Sequence, residues 1–134
     1  MCRLFIGADQ KLWASRTKSL RIDGVATSIR MEKYFWATLE EIAVRDDMTV
    51  NQLITKLYLE AMDADHDLGN FTSFLRVCCA RYLGLIAARE ISDDLLTPLS
   101  VPDPDAIAIL DREQKRQSGS VRASNSAPKA TVFN

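Results

Sequence analysis

From Thr17 to Met31 apolar and polar positions alternate with period two. Leu20, Ile22, Val25, Thr27, Ile29 and Met31 fall on one face; Ser19, Arg21, Ala26, Ser28 and Arg30 fall on the other. Such alternation, rich in β-branched residues, predicts strand. Asp23-Gly24 divides the run at its middle and is a two-residue hairpin signal, since both central residues of a type I′ turn need positive φ. From Glu32 the period changes. Phe35, Leu39, Ile42 and Ala43 recur at helical spacing, with Trp36 beside them and Glu40 and Glu41 facing out. This predicts a helix to about Arg45, broken by Asp46-Asp47. Thr49 with Gln52 is a T-x-x-Q capping box. It opens a second helix carrying Val50, Leu53, Ile54, Leu57, Tyr58, Ala61 and Met62, which fades in the polar stretch Asp63–Asp67. Asn70 is placed to cap a third helix, with Phe71, Phe74, Leu75, Cys78, Tyr82, Leu85 and Ile86 near one side.

Beyond Ile91 the pattern weakens. Pro98, Pro102 and Pro104 interrupt it, and Asp103-Pro104 is suited to start a short helix over Ala106–Lys115. Residues 117–134 are rich in Ser, Ala, Gly and Asn, a composition expected to be disordered. The chain therefore divides into an N-terminal segment (1–16), a ribbon with two helices (17–66), a further helix packed on it (67–91), and a flexible linker with a mostly disordered tail (92–134). No internal repeat stands out. The fold class is mainly α with a short N-terminal β ribbon. One ribbon and two helices, roughly 50 residues, bury too little apolar surface to fold alone. Two copies would solve this by pairing ribbons and interlocking helices, so a dimer is expected. Its core would hold Ile29, Met31, Phe35, Leu39, Ile42, Val50, Ile54 and Leu57.

Composition narrows the class. The chain has 134 residues, 47% hydrophobic and 26% charged, the balance of a soluble globular protein. No apolar run approaches the roughly 20 residues that span a bilayer. The first fifteen residues carry no secretory apolar stretch. Cys2, Cys78 and Cys79 cannot build a disulfide framework, which suits a reduced, cytoplasmic setting. The net charge of −1 hides an asymmetry: residues 1–33 carry seven basic against three acidic groups, and residues 34–67 two against eight. A polyanionic partner would meet the N-terminal segment. His66, the only histidine, lies among Asp63, Asp65 and Asp67. Carboxylates there offer a conceivable metal site, but the stretch reads as a solvated loop, and no metal or other cofactor is expected. The five glycines are scattered and form no phosphate loop, and no nucleophile signature accompanies the histidine. No enzyme and no small-molecule substrate is expected.

Residues 25–62 resemble the ribbon-helix-helix superfamily of DNA-binding repressors. The resemblance rests on an alternating strand ending in Arg30, a helix, and a short turn into the V-N-x-x-I start of a second helix at Val50. The longer run S-L-R-I-D-G-V-A-T-S-I-R-M-E, with N-F-T-S-F-L-R-V-C-C-A-R-Y-L downstream, is similar to a bacterial subgroup described only as ribbon-helix-helix domain proteins. The resemblance implies an intertwined homodimer, with tetramers as an extension, bound to double-stranded DNA in the nucleoid. One strand from each subunit would enter the major groove. The base-reading positions would be Ala26, Ser28 and Arg30: Arg suits guanine O6 and N7, Ser donates or accepts, and Ala meets only a thymine methyl. Amides at Thr49, Val50 and Asn51 would hold a phosphate at the helix N-terminus. Lys18, Arg21 and Lys33 would add phosphate contacts. Where the family often has Gly between its helices, this chain has Asp47.

Asp23-Gly24 also leaves two readings of Thr17–Ile22. It is either a hairpin strand, folded away from DNA, or a basic arm along the DNA backbone that uses Lys18 and Arg21; an arm or edge position is preferred, because a ribbon four strands wide would overfill a groove about 12 Å across. The implied function is a sequence-specific transcriptional repressor. The alternative is a homodimeric interaction module, antitoxin- or adaptor-like, that has lost DNA reading. Similar chains sometimes carry a sulfotransferase label, for which the residues offer neither a sulfate-binding cluster nor a base. Cys78-Cys79 is read as small buried residues on an apolar helix rather than as an oxidation sensor.

Overall fold

The structure, a computed structural model, describes residues 2–126. The described residues fall into two compact units, divided between Leu99 and Ser100. In the first unit a short helix α1 (Cys2–Ile6) and a 3-10 turn (Gln10–Trp13) lead into β1 (Ser15–Ile22) and β2 (Val25–Glu32). Then follow α2 (Lys33–Arg45), α3 (Val50–Asp63), a second 3-10 turn (Leu68–Asn70) and α4 (Phe71–Ala87).

The two strands pair antiparallel over their whole length, from Ser15 opposite Glu32 to Ile22 opposite Val25. The turn has positive φ at both central residues, 52° at Asp23 and 79° at Gly24, as a type I′ hairpin requires. Of the readings of Thr17–Ile22 this corrects the arm: the segment is a strand, at the edge of a two-stranded sheet. Its own alternation supplies the reason, since Leu20 and Ile22 have an apolar face to bury only when β1 lies beside β2. The main-chain pairing continues one step further, with the Lys33 amide donating to the Ala14 carbonyl at 2.8 Å.

The core lies between the inner face of this hairpin and three helices. It contains Leu20 and Ile22 from β1, Ile29 and Met31 from β2, Trp36, Leu39 and Ala43 from α2, Leu53 and Ile54 from α3, and Leu75 and Cys79 from α4. Phe35, Ile42, Val50 and Leu57 pack against it half-buried. The residues assigned to a dimer core thus join a core within one chain. β1 and α4 supply part of the apolar cover of this core. Trp36 is almost fully buried, and its indole N–H donates to the Arg16 carbonyl at 2.8 Å.

The helix ends follow local chemistry. Thr49 and Gln52 form the capping box in both directions. Asp47 takes φ 54°, the left-handed conformation that Asp tolerates better than most residues. At the start of α4 the expectation fails in detail: Asn70 makes no side-chain cap bond. The preceding turn is fixed by Asp67, whose carboxylate accepts from the Gly69 amide at 2.9 Å. The segment after Ile91 is also less free than a linker. Arg45 Nε donates to the Thr97 carbonyl at 3.0 Å, and the Leu99 amide donates to Asp46 at 3.1 Å.

In the second unit α5 runs from Asp103 to Ser126. It is longer than the expected Ala106–Lys115, and residues 117–126, expected to be disordered, belong to it. Asp103 and Asp105 in the first turn favour the helix dipole, and Asp111–Lys115 forms an i,i+4 ion pair at 3.0 Å. Helix-forming Glu, Gln, Lys and Arg after Leu110 outweigh the ~1 kcal/mol cost of Gly119. The rest of the expected tail, residues 127–134, lies outside the described residues.

Candidate nucleic-acid interface

The hairpin has one face on the core and one in water. Its register sets Thr17 opposite Arg30, Ser19 opposite Ser28, and Arg21 opposite Ala26. All six side chains are exposed. The pair flanking a two-residue turn is the hydrogen-bonded one, so these three pairs alternate with bonded pairs and are the closely spaced kind. The Ser19 and Ser28 hydroxyls lie 3.4 Å apart at the centre of the face. Arg21 reaches back to the Gly24 carbonyl at 3.4 Å. The face therefore carries two guanidiniums, two serine hydroxyls, a threonine and an alanine, with no carboxylate. Glu32, at the end of β2, is turned to Arg76 on α4, which holds it with two bonds of 2.9 and 3.2 Å. That pairing keeps the Glu32 carboxyl below its ordinary pKa.

The structure separates the basic residues that the sequence grouped as phosphate contacts. Lys18 falls on the inner face, half-buried; its ammonium sits 5.1 Å from the centroid of the Trp36 ring and 3.7 Å from Glu40. There it lies over the core, apart from the outward face that carries Arg21 and Arg30. Lys33 is exposed at the first residue of α2. Arg21 joins the outward face alongside Ala26, Ser28 and Arg30 and borders a hollow with Asn51, Gln52, Thr55 and Lys56 of α3. The hollow runs on past Leu59 to Glu60 and Asp63, so α3 flanks the β1 side of the hairpin along its length and brings two carboxylates to it.

At the start of α3 the capping box consumes one of the three candidate donors, the Thr49 amide, together with the amide of Gln52. The Thr49 amide donates to the Gln52 side chain at 2.9 Å, and the Gln52 amide to the Thr49 hydroxyl at 3.1 Å. The Leu53 amide already bonds the Thr49 carbonyl. Val50 and Asn51 keep the amides that an anion could take; Thr49 shapes the site but its own amide is occupied.

A second network secures the frame beneath. Arg45, nearly fully buried, donates from Nη1 to the Tyr82 hydroxyl at 3.1 Å and stacks 5.7 Å from that ring's centroid. The Tyr82 hydroxyl in turn donates to Glu41. Burial, then Glu41, raise the Tyr82 pKa, while Arg45 opposes them. Sequence reasoning missed this network; it put Ser19 on the polar face of the ribbon but did not name it among the DNA contacts. A signal for Ser19 was present: S-L-R at 19–21 matches S-I-R at 28–30. Cys78 and Cys79 are free thiols, and among the described residues no cluster of His, Cys, Asp or Glu is arranged to hold a metal. No described helix is long and apolar enough to cross a membrane.

Comparison with known proteins agrees with this geometry. A family model described as a ribbon-helix-helix domain matches residues 15–83, which begin at β1 and end within α4. Among solved structures, an uncharacterized protein from Bordetella pertussis Tohama I is 48% identical. The match covers 80% of this chain and 86% of that one, with a TM-score of 0.75. No curated protein matches.

Proposed function

Since the chain belongs to the ribbon-helix-helix family, we propose that it is a sequence-specific DNA-binding regulator, acting as a repressor. The observation that carries this reading is the outward hairpin face: Arg21 and Arg30, the paired serines and no carboxylate, on a two-stranded ribbon. Such a ribbon fits the major groove, where an Arg fork matches guanine O6 and N7 and a serine hydroxyl accepts or donates to either base edge. The open amides of Val50 and Asn51 fix register on a phosphate. In this reading homodimerisation is the placing of two chains on neighbouring inverted half-sites. The protein works in the cytoplasm on the nucleoid, and no catalytic step enters.

The test is capture of sheared genomic DNA from the source organism at near-physiological salt, followed by sequencing. Arbitrary duplex does not serve, because non-specific binding is electrostatic and hides specificity. Enrichment of a defined motif is the expected result. A folded protein that enriches nothing would instead favour the interaction module.

A further inference from the structure

We propose that a single chain supplies the whole reading ribbon: β1 stands where a second subunit's strand would pair, and Ser19 and Arg21 read bases as the counterparts of Ser28 and Arg30. This rests on the DNA-binding reading above and deepens it. Three observations carry it.

The first is internal symmetry. Aligned in chain direction, T-K-S-L-R-I of β1 (17–22) matches A-T-S-I-R-M of β2 (26–31). Because the strands run antiparallel with Ser19 opposite Ser28, an approximate two-fold axis passes between those serines. It exchanges Arg21 with Arg30, Thr17 with Ala26, Leu20 with Ile29, and Ile22 with Met31. The last four are buried, with exposures of 5%, 3%, 4% and 0%, while the first four are exposed. The equivalence therefore holds on both faces: one chain presents a pseudo-symmetric ribbon and buries a pseudo-symmetric underside.

The second is width. A sheet made by pairing β2 with the β2 of another copy would be four strands wide, and strands lie ~4.8 Å apart. That exceeds a groove ~12 Å across, whereas two strands fit it. The third is the flank. A hollow lined by Arg21 and, along the length of α3, by Asn51, Lys56, Glu60 and Asp63 sets the second helix alongside β1, so β1 stands between that helix and β2.

The site this ribbon reads follows from its geometry. Arg21 and Arg30 lie four residues apart along the ribbon, ~13 Å at strand rise, or about four base-pair steps of ~3.4 Å. The partner is thus duplex DNA with two guanines about four steps apart on opposite strands, symmetric about a centre faced by the two serines.

Two measurements test this. In a Cys2→Ser background, Ser28→Cys is oxidised without DNA. If the pairing strand is the chain's own β1, the product runs as a monomer, and Ser19→Cys/Ser28→Cys closes an intramolecular disulfide. A covalent dimer from Ser28→Cys alone would place β2 against β2 of a second copy and overturn the proposal. On the motif enriched from genomic DNA, Arg21→Ala and Arg30→Ala are each expected to weaken binding ~5- to 150-fold and to relax preference at one guanine each. Arg16→Ala, which removes the same charge from the inner-face register, is the control. If Arg30→Ala alone departs from that control, the role of β1 is refuted while DNA reading stands. If no motif is enriched, DNA reading fails too, and the oxidation result alone decides whether one chain completes the ribbon.

Discussion

At the residue scale the strongest departures from ordinary chemistry lie away from the DNA face. Cys79 is fully buried and directs its thiol to the Phe35 carbonyl at 3.6 Å. Burial, with Cys78 adjoining, pushes its pKa up to about 12, and burial also raises Cys78. The nucleophile is the thiolate, so Cys79 is unreactive near neutral pH in the folded chain, and burial disfavours the thiolate of Cys78 as well. In a Cys2→Ser variant, an aromatic disulfide reagent at pH 7.5 is expected to modify Cys79 only at the rate of unfolding. Rapid reaction in native buffer would contradict the packing of α4. Tyr82 shows the same economy of buried polar groups. Tyr82→Phe removes the hydroxyl between Arg45 and Glu41 and leaves a buried guanidinium one acceptor short, at a cost of about 1–3 kcal/mol. Urea unfolding should show a lower midpoint with an unchanged slope. These roles were not legible in the sequence. Arg45 read as the end of a helix and Tyr82 as apolar lining, because the partners that define them are far apart along the chain.

At the element scale the junction between ribbon and α4 is an ion pair with a defined pH response. Glu32 is held below its ordinary pKa, first by the Arg76 hydrogen bond. A carboxyl with a depressed folded pKa contributes stability above its unfolded value near 4.5, and loses it as pH falls through the folded value. With side chains 36% and 30% exposed, screening limits the pair to about 1 kcal/mol. Glu32→Gln is therefore expected to lower stability by about that amount at pH 7, and the loss should shrink as acid protonates the folded carboxyl; an equal loss at neutral and at acid pH would show that the charge plays no part. The elements themselves were largely legible. The change of period at Glu32, the capping box at Thr49 and the Asp23-Gly24 turn each state a local rule, and the chain obeys them. What was not legible was the choice between two uses of Thr17–Ile22. Lys18 and Arg21 suggested a basic arm, but alternation sends Lys18 under the ribbon against Trp36 and Arg21 outward. The length of α5 was missed for the opposite reason: Ser and Asn read as loop formers, while the intervening helix formers and the acidic first turn carry the helix further.

At the scale of the whole molecule, the consequence of an internal ribbon is thermodynamic. A domain with one strand per chain has no core until two chains meet, so its stability rises with protein concentration. Here residues from both strands and from α2, α3 and α4 close one core: Met31, Trp36, Leu39, Ile54, Leu75 and Cys79 are each less than 2% exposed within a single chain. The charge distribution fits the same division, since the basic residues of the first 33 positions reach the outward hairpin face through Arg21 and Arg30, while Glu40 and Glu41 lie on α2. The unfolding midpoint in urea should then be constant across a hundred-fold range of protein concentration. In an obligate dimer the same range would shift the free energy by RT ln 100, about 2.7 kcal/mol, which moves the midpoint by an easily measured amount given slopes of ~1–3 kcal/mol/M. Leu39→Ala calibrates the experiment: it removes a fully buried side chain at a cost of about 2–5 kcal/mol, and its midpoint should fall by the same amount at every concentration. A midpoint that climbs with concentration in the parent chain would mean that the core seen in one chain is completed by another, and the ribbon's symmetry would then have to be sought between copies.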